Sequence, residues 1–176
     1  MEESGDLLEL ARVMPRDRFV RRVTNLLLVV SEASLDSQQI AFRTVAASPA
    51  AHRKPPPPPG PTSEVFEIAK AKGNPYPDQI SVGRTRNCDV VLRNPSVSKL
   101  HAHFRRDAEQ RLVLIDNGSQ NGTRVNGKLL SENEPQVVAV GDVIQFGRMT
   151  TSLLDAARLF DIVREQARLA REQANH

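Results

Sequence analysis

Cysteine is almost missing: Cys88 is the only one, so no internal disulfide can form and a reducing compartment is expected. With one Cys and no clustered histidines, the usual zinc ligand sets cannot be assembled, and neither a metal nor another cofactor is expected. Tryptophan is absent, tyrosine occurs once, and six phenylalanines supply the large aromatic side chains. Long apolar runs are lacking too. The longest, residues 26–30, is far short of the ~20 residues a membrane-spanning helix needs. Glu2, Glu3 and Asp6 stand where a secretory leader would be positive, so none is expected. Charge of one sign is scarce: 24 basic and 21 acidic residues leave +3, too slight an excess to argue for nucleic acid without a clustered basic face. These absences favour a soluble cytoplasmic protein with one ordinary core, partnered by neither nucleic acid nor membrane.

What the chain does have is sharply zoned. Residues 55–59 are all proline, followed by Gly60 and Pro61, which suits a polyproline II spacer. The pattern therefore divides into an N-terminal helix-strand extension (1–54), a proline-rich linker (55–63), a β-rich domain (64–154) and a C-terminal helix (155–176). In the extension, residues 1–14 suit a frayed helix and 15–22 a short one. Residues 26–30 read as a buried strand and 40–46 as a weaker partner, together extending the edge of the main domain. From residue 64 onward nine short β segments recur, at 65–70, 79–82, 90–92, 101–105, 112–115, 124–125, 137–140, 143–146 and 150–154. Asn-Gly and Gly-Asp turns separate them, and no helix intervenes. That arrangement predicts a mainly β, antiparallel sandwich. Asp155 can cap the final helix, with Ala156, Leu159, Phe160 and Val163 as its apolar stripe.

The candidate site lies in the turns. Arg84 follows the segment Ile80-Ser81-Val82-Gly83, where a guanidinium would project from a strand end. Ser98 offers a hydroxyl, Lys99 a mobile positive charge, and Asn121 a carboxamide that can read a peptide backbone. Loops at one end of a sandwich cluster in space, so these groups could surround a phosphate and the peptide carrying it. Catalytic residues are not expected. Asp116 and Ser119 read as turn-forming, because no oriented histidine or oxyanion hole accompanies them. The run Gly118 to Thr123 lacks the Gly-Lys-Ser/Thr ending of a nucleotide-binding loop. His101 and His103 alternate along a strand and face opposite sides, which excludes a simple metal pair.

Taken together, Gly83-Arg84, Asn87-Cys88-Asp89-Val90-Val91-Leu92, Ser98-Lys99-Leu100-His101, Asn121-Gly122, Val125-Asn126-Gly127 and Gly141-Asp142-Val143-Ile144-Gln145-Phe146-Gly147 closely resemble the forkhead-associated (FHA) domain family over residues 64–154. The resemblance implies a sandwich of about eleven strands that binds phosphothreonine peptides through loops at one end. It implies that Arg84 and Ser98 hold the phosphate with help from Lys99, and that Asn121 bonds the peptide main chain. Ser96 and Gln120 would shape selectivity. Gly83, Gly122 and His101 would be architectural, His101 bracing the loop that presents Ser98. The expected function is non-enzymatic: an adaptor docking on a phosphothreonine-containing protein or a Ser/Thr kinase. The alternative is a phosphate-independent structural subunit of a larger complex, such as a secretion apparatus, held through the two terminal extensions.

Overall fold

The computed structural model describes residues 7–30 and 63–174. The proline run and the partner strand expected at 40–46 lie outside the described residues. Two helices, α1 (Leu7–Val13) and α2 (Arg16–Arg22), lead into β1 (Leu27–Val30). Ten more strands follow: β2 (Val65–Glu67), β3 (Ile80–Gly83), β4 (Val90–Val91), β5 (Ala102–Arg106), β6 (Leu112–Asp116), β7 (Thr123–Val125), β8 (Lys128–Leu129), β9 (Gln136–Val137), β10 (Val143–Phe146) and β11 (Met149–Leu154). The long helix α3 (Ala156–Ala174) ends the described chain.

The strands form two sheets, ordered β2-β1-β11-β10-β7-β8 and β4-β3-β5-β6-β9. Alternation decides which side chains face inward. Ile144 and Phe146 of β10 are buried while Val143 and Gln145 are less so, and Ala102 and Phe104 of β5 face the core while His103 and Arg105 point outward. Leu28, Val82, Phe104, Leu114, Ile144, Phe146 and Leu153 fill the space between the sheets.

The segment 26–30 is apolar at every position because both of its faces are covered. Leu28 and Val30 enter the inter-sheet core, while Leu27 and Val29 pack against Phe19, Leu159, Phe160 and Val163 of a helical layer on the other side. This strand accordingly does not extend the edge, as the sequence reading expected. β1 is interior, paired antiparallel to both β2 and β11, and β2 is the edge. A strand without a polar face has no side to offer water. Among the described strand pairs, the expected antiparallel character has one exception. The loop after β3 brings β4 back alongside in the same direction, with Val82 opposite Val90 and Gly83 opposite Val91.

The helices are tied together at their ends. Asp155 caps α3 through the Arg158 N–H at 2.7 Å, as its position suggested. The Arg16 guanidinium donates to both oxygens of Asp161 (2.9 and 3.2 Å), and the Arg164 guanidinium donates to the Met14 carbonyl (2.9 Å). These contacts are exposed, so they set geometry more than stability. The stabilising contribution comes from apolar burial centred on Phe19, which is fully buried with its ring 5.7 Å from that of Phe160. Truncation Phe19→Ala should lower unfolding stability by about 3–5 kcal/mol in urea denaturation. A loss below about 1 kcal/mol would show that the helical layer is not part of the core.

Candidate functional site

Three loops meet at one end of the sandwich: residues 84–89 after β3, 92–101 before β5, and 117–122 after β6. Their contacts are direct. The Arg84 N–H donates to the Ser98 carbonyl (3.0 Å), the Gln120 N–H donates to the Ser98 hydroxyl (3.0 Å), and the Asn121 carboxamide donates to the Ser96 carbonyl (2.8 Å). Arg84, Ser96, Ser98, Lys99, Gln120 and Asn121 are thereby gathered on one rim. Arg84 and Lys99 are exposed, and no described residue pairs with either side-chain cation.

His101 locks the arrangement from beneath. Its imidazole is fully buried and lies edge-on to Phe146, with centroids 5.7 Å apart. Nδ1 accepts the Ser98 N–H at 3.0 Å, and Nε2 lies 3.2 Å from the Gly122 carbonyl. A carbonyl can only accept, so Nε2 carries the proton and donates, while Nδ1 is bare. One neutral tautomer thus joins the loop presenting Ser98 to the loop presenting Asn121. Burial pushes the His101 pKa below its ordinary value, against the opposing pull of the Gly122 hydrogen bond and the Asp116 charge.

The backbone approaches too closely here for side chains. A Cβ at Gly83 would collide with the Lys99 carbonyl oxygen and the Cys88 sulfur, and one at Gly147 would collide with the Ser96 carbonyl. Gly147 has φ of 60°, and its N–H donates to the Gly122 carbonyl at 3.0 Å, so β10 supports the third loop. The Lys99 carbonyl itself is clamped by the Thr85 hydroxyl (2.8 Å) and the Cys88 thiol (3.3 Å).

Several supporting residues had no role in the sequence reading of the site. Thr85 is one. Asn94 is another: its carboxamide oxygen accepts both the N–H (2.9 Å) and the hydroxyl (2.7 Å) of Ser96. The Ser96 hydroxyl also accepts the Arg148 N–H (2.9 Å), so it is consumed within the protein. Asp89 has a side chain with no exposure and receives the Ala71 N–H, the Ser81 N–H and hydroxyl, the Asn74 amide and Lys70. Asp116 behaves as a turn-former. It accepts the N–H and hydroxyl of Ser119 (2.8 and 2.7 Å) and the Thr123 hydroxyl (2.5 Å). Burial opposes its charge, but the Thr123 and Ser119 hydrogen bonds outweigh that and hold the carboxyl below its usual range.

Chemically, the rim offers donors to an anion. The Ser98 oxygen accepts from Gln120, which leaves its own O–H free to donate, with no acceptor for it among the described residues. Arg84 brings a planar donor fork and Lys99 a point charge, both suited to phosphate oxygens at an exposed surface. Asn121 keeps its carboxamide oxygen available on the same rim.

The tautomer of His101 has a pH consequence. Its folded pKa lies below the unfolded value near 6.5, so the stability it contributes is complete above that pH and is lost as pH falls through the folded value. The buried carboxylates Asp89 and Asp116 have pKa values held below 3.8, so their contribution is lost in a separate, more acidic window. The urea midpoint should therefore hold from pH 8 to about 6.5 and then decline before carboxylates titrate, and His101→Gln should lack that first decline. A wild-type midpoint flat to about pH 5 would contradict the assignment.

Parts of this chain are similar to known proteins. The FHA domain family model matches residues 80–147. The chain is 39% identical to the human angiogenic factor with G patch and FHA domains 1 over 79 residues, covering 41% of this chain and 11% of that protein. It is 32% identical to the DNA damage response protein kinase DUN1 of Saccharomyces cerevisiae over 83 residues, covering 44% of this chain and 16% of the kinase. The chain therefore spans less than a fifth of the length of either curated relative. A solved structure from work on phosphothreonine-dependent FHA domain interactions is similar at 19% identity, with a TM-score of 0.48, over 74% of this chain and 96% of that one. The ordered motifs and the loops joined at one end thus fall within residues 80–147, the part of this chain that matches the FHA domain family model.

Proposed function

We propose that the protein is a phosphothreonine-dependent adaptor, docking on a partner phosphorylated by a Ser/Thr kinase through the loops at one end of the sandwich. The observation that carries this reading is the pair of exposed cations, Arg84 and Lys99, with no partner among the described residues, beside a Ser98 hydroxyl whose oxygen accepts from Gln120 and whose O–H is left to donate. A dianionic phosphate would receive charge-assisted hydrogen bonds from all three while staying at the solvent rim, where desolvation costs least. Asn121, anchored to Ser96, would hold the main chain of the bound peptide. Selection of phosphothreonine over phosphoserine would come from the fit of the extra methyl against the loop carrying Gln120.

The test is peptide binding by fluorescence anisotropy, comparing phosphothreonine, phosphoserine and unphosphorylated versions of one sequence library. Phosphothreonine should bind selectively, and Arg84→Ala should weaken it by about 10- to 100-fold through loss of its charge-assisted bonds. Folding stability should change by less than about 0.5 kcal/mol, because the side chain is exposed. Partner binding that ignores both the phosphate and Arg84 would instead support a phosphate-independent structural subunit.

A further inference from the structure

Beside the phosphate rim, on the outer face of the five-stranded sheet, lies an open cleft of about 540 Å³. Its floor carries His103 of β5, directly opposite Ser81 of β3, with the imidazole bonded to the Asn117 carboxamide at 2.7 Å. One wall is the connection between β2 and β3, including Lys72 and Tyr76. That wall is fixed rather than loose. The Ala71 N–H donates to Asp89 (2.8 Å), and the Asn74 amide donates to both Asp89 (2.6 Å) and Ser81 (2.9 Å).

The cleft is continuous with all three loops of the candidate site. Arg86 belongs to the loop of Arg84, Leu100 follows Lys99, and Asn117 opens the loop leading to Gln120. Its chemistry is also specific. Among the described residues no acidic side chain lines it, and its two permanent cations, Lys72 and Arg86, are exposed with no ion-pair partner. The Asp89 carboxylate behind the wall is fully covered and already bonded, so its charge is not offered to the cleft. Two of the large apolar side chains left exposed, Tyr76 at 65% and Leu100 at 52%, stand at this one cleft. Apolar surface and uncompensated positive charge together suit a peptide segment bearing apolar and acidic side chains.

We infer that this cleft seats the residues flanking the phosphothreonine of the partner, and that it selects acidic and apolar side chains there. The inference rests on the phosphothreonine reading, since the occupant is the continuation of the same peptide. Lys72 and Arg86 pair with a flanking carboxylate, Tyr76 and Leu100 cover an apolar side chain, and the His103–Asn117 floor remains polar. The rim would then set phosphate dependence, while the cleft sets partner choice.

The test uses phosphothreonine peptides whose flanks, on each side in turn, are Glu/Leu, all Ala, or Lys/Leu. Wild-type protein should bind the Glu/Leu flank about three- to ten-fold more tightly than Ala, and the Lys/Leu flank more weakly than Ala. The double variant Lys72→Glu with Arg86→Glu should invert the Glu-over-Lys preference, and Tyr76→Ala should remove the advantage of Leu. Both variants alter exposed positions, and thermal melts verify that they fold. The Ala-flanked peptide should bind Tyr76→Ala as it binds wild type, should bind the charge-reversal variant more weakly through repulsion of the phosphate while still requiring it, and should be lost with Arg84→Ala. If the Ala-flanked peptide binds through Arg84 but flank preferences are equal in wild type and variants, the cleft assignment falls and the phosphothreonine reading stands. If no phosphothreonine peptide binds, or binding ignores Arg84, both fall.

Discussion

The buried His101 imidazole is the contact on which the loop end of the sandwich depends. It joins two loops from beneath, accepting from Ser98 on one side and donating to Gly122 on the other, and so backs the rim bonds from Gln120 to Ser98 and from Asn121 to Ser96. Its burial against Phe146 makes the geometry narrow: a displaced ring would leave the Ser98 N–H and its own buried Nε2–H without these partners, each at a cost of about 1–3 kcal/mol. The absence of a side chain at Gly83 is the complementary constraint, because it lets the first loop close onto the Lys99 carbonyl. Positioning of Arg84, Ser98 and Asn121 therefore follows from contacts that never touch a ligand. Such preorganisation reduces the ordering cost of binding.

The rest of the molecule supplies rigidity to that end. β10 carries Phe146 to His101 and Gly147 to the third loop, and β10 is held in the sheet by β7 and β11. In turn β11 pairs with β1, whose outward face is closed by the helices. The helical layer thus stabilises the central strands of one sheet rather than hanging from the domain as an appendage. Beyond Val163 the helix α3 is largely exposed, so its apolar work is concentrated in its first two turns. The Arg168 side chain there pairs with Glu165 on its own surface, which fits a solvated face.

Much of this was legible from residues alone, for identifiable reasons. Turn chemistry at Asn117-Gly118, Asn121-Gly122 and Asn126-Gly127 divided the chain correctly, and the apolar stripe from Ala156 to Val163 located α3. His101 as a brace came with the family resemblance, and the geometry now gives its tautomer. Other features left no local trace. β8 has two residues, both exposed, so no alternation marks it. The run 26–30 declared burial on both faces but not its neighbours, since pairing is a long-range property. Parallel pairing of β4 depends on the path of a loop. Asp89 as a hub and the cleft beside Tyr76 arise only when loops distant in sequence are packed together.

Amide NMR titration with a phosphothreonine peptide tests the central claim most directly, because it reports where the ligand sits. Large shift changes are expected at Arg84, Ser98, Lys99, Gln120 and Asn121, absent with the unphosphorylated peptide, while the amides of α1 and α3 stay still. Changes centred on the helical layer, or equal for both peptides, would contradict it.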